Sequence, residues 1–328
     1  MKGKILIGII ILVSALAAIA MNGFSGHIVG DADYAVRVGY KANANYLPLF
    51  VAQEKGYFSE EGVAVEAIRF DSTNAIVDAF AAGRLDATPT GNVVVSYALE
   101  NAQHGLFRMY SFSFYTDERH PENLVVKKGS AIRRYADLEG KTIGANKGIF
   151  ARSMLRLFLE MRGVKNFRIV ELDDSVQLHA LESGQIDALI SLEPVPTIGV
   201  DLGIAEYLGN GSVYARTTGF TPSLSGGIVS ARLLEQHPEE AKRFLRAMEK
   251  AMDFIEGDLA GSKAILPGYV PMNRNVSAKI SMEEFRFVGD LESGQLASVQ
   301  RTADFLHENG IIGQVNVSGL ILESRYYE

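Results

Sequence analysis

Thirteen residues share one chemical character. Asn43, Asn45 and Tyr46, Ser72 and Thr73, Thr90, Gly91 and Asn92, Phe112, Lys147, Gly148 and Phe150, and Glu193 are amides, hydroxyls, glycines, aromatics and two charges. Such a set can hold a small molecule without reacting with it. Amides and hydroxyls supply hydrogen bonds, and aromatics stack on a ring or cover an alkyl group. Lys147, together with Arg152 and Lys41, offers positive charge to an anion, and Glu193 offers a carboxylate to an amine. Each has a plainer reading: lysines and arginines as solvated surface charges, aromatics as core, and Glu193 as the cap of a helix starting at Pro194. Covalent and metal chemistry find no comparable set. The chain has no cysteine, and no G-x-S-x-G, H-E-x-x-H or Walker loop. Its six histidines, at 27, 104, 120, 179, 237 and 307, show no ligand spacing. No catalytic residue, metal or cofactor is expected.

The elements that would position these residues alternate. Strands are expected at 35–38, 63–70, 85–88, 141–145, 168–172 and 186–192, and helices at 49–55, 75–82, 93–103, 150–162 and 176–183. Asp71 to Asn74 supplies capping side chains for one helix, and Gly83 ends it. Strand and helix in alternation, joined by short loops, predict an α/β fold with mostly parallel sheets. In such sheets ligands bind beyond the carboxyl ends of the strands, where most of the thirteen residues fall. Beyond Gly226 the pattern reads as helical. Apolar residues at Ala241, Phe244, Leu245, Met248, Met252 and Ile255 mark an amphipathic helix over 238–256.

One helix-to-strand junction is written twice. AFAAGRLDA from Ala79 returns as ALESGQIDA from Ala180, an offset of 101 residues (180 minus 79). Two similarly built α/β lobes follow from it. Asp86 and Asp187 fall just inside a strand in each copy, and each is expected to cap a neighbouring backbone turn, because buried charges are paired.

The run from Val36 to Ala87, with GYFSEEGVAVE (Gly56 to Glu66) its most characteristic piece, resembles substrate-binding proteins of ABC importers in the nitrate, sulfonate, taurine and thiamine-precursor group. DLEGKTIGANKG (Asp137 to Gly148) and ESGQIDALISLEP (Glu182 to Pro194) resemble the second lobe of that family. The resemblance implies a bilobal periplasmic-binding type 2 fold. Lobe one would comprise 34–114 plus 226–328 and lobe two 115–225, with hinge crossings near 111–115 and 218–225. It further implies a monomer that closes on its solute and delivers it to a membrane permease. The sulfonate, nitrate or taurine class is the first expectation for the solute, and a thiamine-type pyrimidine the second. An enzyme or a ligand-sensing domain on the same fold ranks behind both. Relatives that make the thiamine pyrimidine carry a cysteine-rich motif that this chain lacks.

Composition agrees. The 328 residues carry a net charge of −7 with no basic tract, which argues against nucleic acid as a partner. Lys2 and Lys4 precede an apolar run from Ile5 to Met21 that ends in an A-x-A pattern at Ala18 to Ala20. That is the layout of a secretory signal, with an uncleaved membrane anchor as the alternative for residues 1–21. Residues 22–33 read as a Gly-rich tether. Either way the body is expected outside the cytoplasm.

Overall fold

The computed structural model describes residues 34–328, so the signal or anchor and the tether lie outside the described residues. Thirteen strands follow in chain order within the described residues: β1 (Ala35–Tyr40), β2 (Ala64–Arg69), β3 (Ala87–Thr88), β4 (Phe107–Met109), β5 (Ser111–Phe114), β6 (Glu122–Lys127), β7 (Lys141–Asn146), β8 (Phe167–Leu172), β9 (Ala188–Leu192), β10 (Ala205–Tyr207), β11 (Ser223–Ser225), β12 (Ile228–Ser230) and β13 (Glu284–Phe287). They form two five-stranded sheets, β2-β1-β3-β12-β4 and β8-β7-β9-β6-β10, and a three-stranded sheet β11-β5-β13. The two larger sheets have the same plan. Three parallel strands lead, an antiparallel strand follows, and a fifth pairs antiparallel to that one. Four strands of each sheet thus run one way and only β12 or β6 runs against them, so the expectation of mostly parallel sheets holds.

The repeated sequence makes the same clasp in both sheets. The Asp86 amide donates to the carbonyl of Arg37 at 2.8 Å, and its carboxylate accepts from the Arg37 amide at 2.9 Å. The Asp187 amide donates to Thr142 at 2.7 Å, and its carboxylate accepts from the Thr142 amide at 2.8 Å. Each aspartate stands one residue before its strand rather than inside it, and its carboxylate is paired, but with the backbone of the neighbouring strand rather than with a turn. Asp86 goes further. It is fully buried and also meets the Arg37 and Arg232 guanidinium groups at 2.9 and 2.6 Å.

A glycine faces each repeat strand because nothing larger fits. A β-carbon on Gly39 would lie 2.5 Å from Leu85 Cδ1, and one on Gly144 would lie 2.6 Å from Ile186 Cδ1. Between the sheets, a β-carbon on Gly226 would lie 2.5 Å from the Ser111 carbonyl oxygen. Gly39→Ala and Gly144→Ala should each cost about 1–3 kcal/mol, the usual range for overpacking. Gly226→Ala should reach the top of that range, because its neighbour is backbone and cannot rotate away. Urea midpoints of the three variants check this ranking.

The amphipathic helix appears at Pro238–Gly257 and buries Ala241, Phe244, Leu245, Met248, Met252 and Ile255. The helical reading beyond Gly226 needs correction, since β12 and β13 both lie there. Among the described residues no helix is long and apolar enough to cross a membrane.

Candidate functional site

Of the loops named from sequence, the one at Thr90 to Asn92 meets strand β11 and the segment that leaves it. Tyr46, Thr73, Thr90, Gly91 and Asn92 line one narrow cavity of about 20 Å³, which Thr88 also lines. Tyr46 is buried with its phenol beside Thr88, and burial raises its pKa. Gly91 accepts from the Gly226 amide at 3.0 Å, and Asn92 bridges to Ser225, so this loop is stitched to the strand that leaves β11. The Thr90 hydroxyl is buried and has no hydrogen-bond partner.

Several named side chains are spent on local structure. Asn43 accepts from the Asn45 amide at 3.1 Å, Ser72 from the Ala75 amide at 3.2 Å, and Asn92 from the Val94 amide at 2.9 Å. These are cap bonds that satisfy first-turn amides. Phe112 is fully buried in β5 within the main core. The expectation that it walls a ligand gives way to core packing, because the strand is covered on both faces.

The expected anion partners on the second sheet are already matched. Lys147 pairs with Asp173 at 2.8 Å and Arg152 with Glu171 at 3.1 Å, while the Gly148 amide donates to Glu171 at 3.3 Å. Acidic residues at the end of β8 therefore occupy the positive end of the helix Ile149–Glu160. The pairs are exposed and contribute at most about 1 kcal/mol each. Glu193 is buried and accepts from Thr197, through its amide at 3.3 Å and its hydroxyl at 2.9 Å, and from Asn123 at 2.8 Å. That is the capping role, for the helix Val195–Asp201. Burial pushes its carboxyl up to about 7 against these hydrogen bonds.

Phe150 reaches the middle of the molecule through a row of rings. It meets Tyr214 edge-on at 5.0 Å, and Tyr214 lies against Tyr115 at 6.3 Å. Around that row sit two buried carboxyls that sequence reasoning missed. Glu122 accepts from the Ser212 hydroxyl and, at 3.1 Å, from the Tyr214 amide. Glu283 accepts from the side-chain amide of Asn45 at 2.7 Å. Burial pushes each to about 7, and the Glu283 charge raises Glu122 further. Neither had a signal in the sequence. Glu283 sits in SMEEF and Glu122 in RHPENL, where acids read as solvated. Only the pairing of β13 with β5 and of β6 with β9 buries them.

A family model described as NMT1/THI5 like matches residues 43–258. The chain belongs to this family. A Bacillus subtilis protein named "Putative aliphatic sulfonates-binding protein" is 26% identical over 307 residues, covering 91% of this chain and 89% of that one. A 4-amino-5-hydroxymethyl-2-methylpyrimidine phosphate synthase of Saccharomyces cerevisiae, THI13, is 23% identical over 267 residues, covering 78% of this chain and 76% of its own. The alkanesulfonate-binding protein SsuA of Xanthomonas axonopodis pv. citri, solved bound to MOPS, superposes with a TM-score of 0.70 at 20% identity, covering 89% of this chain and 99% of that one. The NMT1/THI5-like chain thus has the bilobal α/β fold of periplasmic binding proteins expected from its sequence. Its two repeated sheets are the cores of that architecture.

Proposed function

We propose that this protein is the extracytoplasmic solute-binding component of an ABC importer and takes a small zwitterionic solute of the aminosulfonate type. The reading rests chiefly on one observation. Asn45 from a first-sheet loop bonds Glu283, whose charge acts on Tyr115, and Phe150 from the second sheet meets Tyr214, so both sheets reach the buried Tyr115–Tyr214 pair. Lobe one is taken as 34–114 plus 226–328 and lobe two as 115–225, with β5 and β11 as the crossings about which the lobes close. The sulfonate-binding relative and the signal-like N-terminus support the solute class and the location outside the cytoplasm. The membrane partner is a permease that receives the solute from the closed monomer.

A second reading, an aminopyrimidine binder, is favoured by the aromatic row and by the pyrimidine synthase relative. A catalytic version of it lacks any cysteine to work with.

Thermal shift against taurine, ethanesulfonate, nitrate and 4-amino-2-methylpyrimidine tests the reading. A true ligand at 100 times its Kd stabilises by about 2.7 kcal/mol. Taurine is expected to raise the midpoint and to be recovered unchanged. Silence from all four, on protein shown by native mass spectrometry to carry no ligand, would refute solute binding. Conversion of any of them would refute the non-enzymatic role.

A further inference from the structure

We infer that Asn45, Glu122 and Glu283 form a pocket that recognises a cationic N–H group, an ammonium or a protonated amidine, on the solute. The inference rests on the solute-binding reading and names the pole of the ligand that these residues hold.

Three buried acceptor oxygens, Asn45 Oδ1, Glu122 Oε2 and Glu283 Oε2, have no hydrogen-bond partner. All three side chains are more than nine-tenths buried. Such oxygens carry a desolvation cost until a donor reaches them. Asn45 ties the set together. Its Nδ2 donates to Glu283 Oε1 at 2.7 Å, which places its own unpaired Oδ1 beside that carboxyl. The charges of Glu283 and Glu122 both raise the pKa of Tyr115, and that of Glu283 raises Glu122. The β13–β5 register explains the placement. Glu284 opposes Phe114, so Glu283 falls one step beyond, opposite Tyr115.

The nearby cations are engaged elsewhere. Arg119 binds the Glu256 carboxylate at 2.8 and 2.9 Å and gives Glu283 only a bond to its carbonyl, at 2.7 Å. His120 Nδ1 bonds the Glu122 carbonyl at 2.6 Å and stands 3.8 Å from Glu122 Oε2, and burial lowers its pKa, which keeps the ring neutral. Two carboxyls and an amide oxygen, with no protein cation on their free atoms, suit a ligand that brings donors and positive charge. A pure anion gains nothing from them once they are ionised. A cation also draws the protons off both carboxyls as it binds. The groups facing Glu122 are Ser212, Tyr214, His120 and Tyr115, and those facing Glu283 are Asn45, Arg119, Glu256 and Tyr115.

The test compares matched probes by calorimetry: taurine against ethanesulfonate, and 4-amino-2-methylpyrimidine against 2-methylpyrimidine. In at least one pair the N–H-bearing member should bind tenfold or more tightly. For taurine, whose ammonium stays charged between about pH 6 and 8, affinity should rise with pH across that interval, and Glu283→Gln and Glu122→Gln should each erase most of the preference. Melting curves establish that both variants fold. Equal binding within each pair, or a preference that survives both substitutions, overturns the pocket and leaves solute binding standing. Failure of every probe to bind overturns solute binding itself and the pocket with it.

Discussion

The thermal midpoint of the ligand-free protein should fall by on the order of 10 °C as pH rises from about 5 to about 8.5. Glu122, Glu193 and Glu283 are each pushed from the ordinary 4.5 up to about 7, with burial as the leading cause. A raised carboxyl holds its proton more tightly in the folded state than in the unfolded one. Its share of stability is therefore complete below 4.5 and is lost as pH climbs through about 7. The rise from 4.5 to about 7 corresponds to about 3 kcal/mol per group at about 1.4 kcal/mol per pH unit. A total loss as small as about 4 kcal/mol already moves the midpoint of a chain this size by on the order of 10 °C. Glu122→Gln should flatten the profile and melt higher than the parent at pH 8.5. A parent profile that is level across this range would show that the carboxyls are not desolvated.

Asp86→Ala should cost about 3–5 kcal/mol, because it strands the partners of a buried charge. Asp86 is fully buried and accepts from the Arg37 amide, both arginines and the Tyr34 hydroxyl. Burial raises its pKa, but the hydrogen bonds and charge of Arg37 outweigh that and hold it below the ordinary 3.8. Its contribution is present at neutral pH and is lost only as pH falls below 3.8, the reverse of the three glutamates. Stability should therefore peak near pH 4 to 4.5, between the ordinary Asp86 value of 3.8 and the ordinary glutamate value of 4.5. Asp187→Ala removes the matching clasp, but Asp187 is half-buried and its side chain bonds the Thr142 amide without the two arginines. It should cost only about 1–3 kcal/mol. Urea denaturation of the two variants measures the difference. Equal costs would mean that the arginines add nothing.

The repeating units of this fold were legible in the sequence, and the strands that close them were not. Helices such as Thr73–Ala81 and Pro238–Gly257 carry caps and apolar stripes that the sequence displays. The strands β4, β11 and β12 are three residues each, too short for a period to show, and are defined by partners far along the chain. The same limit applies to the site. Tyr46, Thr90 and Asn92 were visible because they follow strands and begin helices. Glu122 and Glu283 became site candidates only through non-local pairing, which places an ordinary-looking acid against a buried ring.

The order β2-β1-β3-β12-β4 has a consequence for how the chain comes together during synthesis. The second sheet draws all its strands from residues 122–207 and is complete once they have emerged. The first sheet has a gap between β3 and β4 until residues 228–230 arrive to fill it. The half begun first is therefore finished last. A nascent chain stopped near residue 225 would hold one assembled half and one with an open seam.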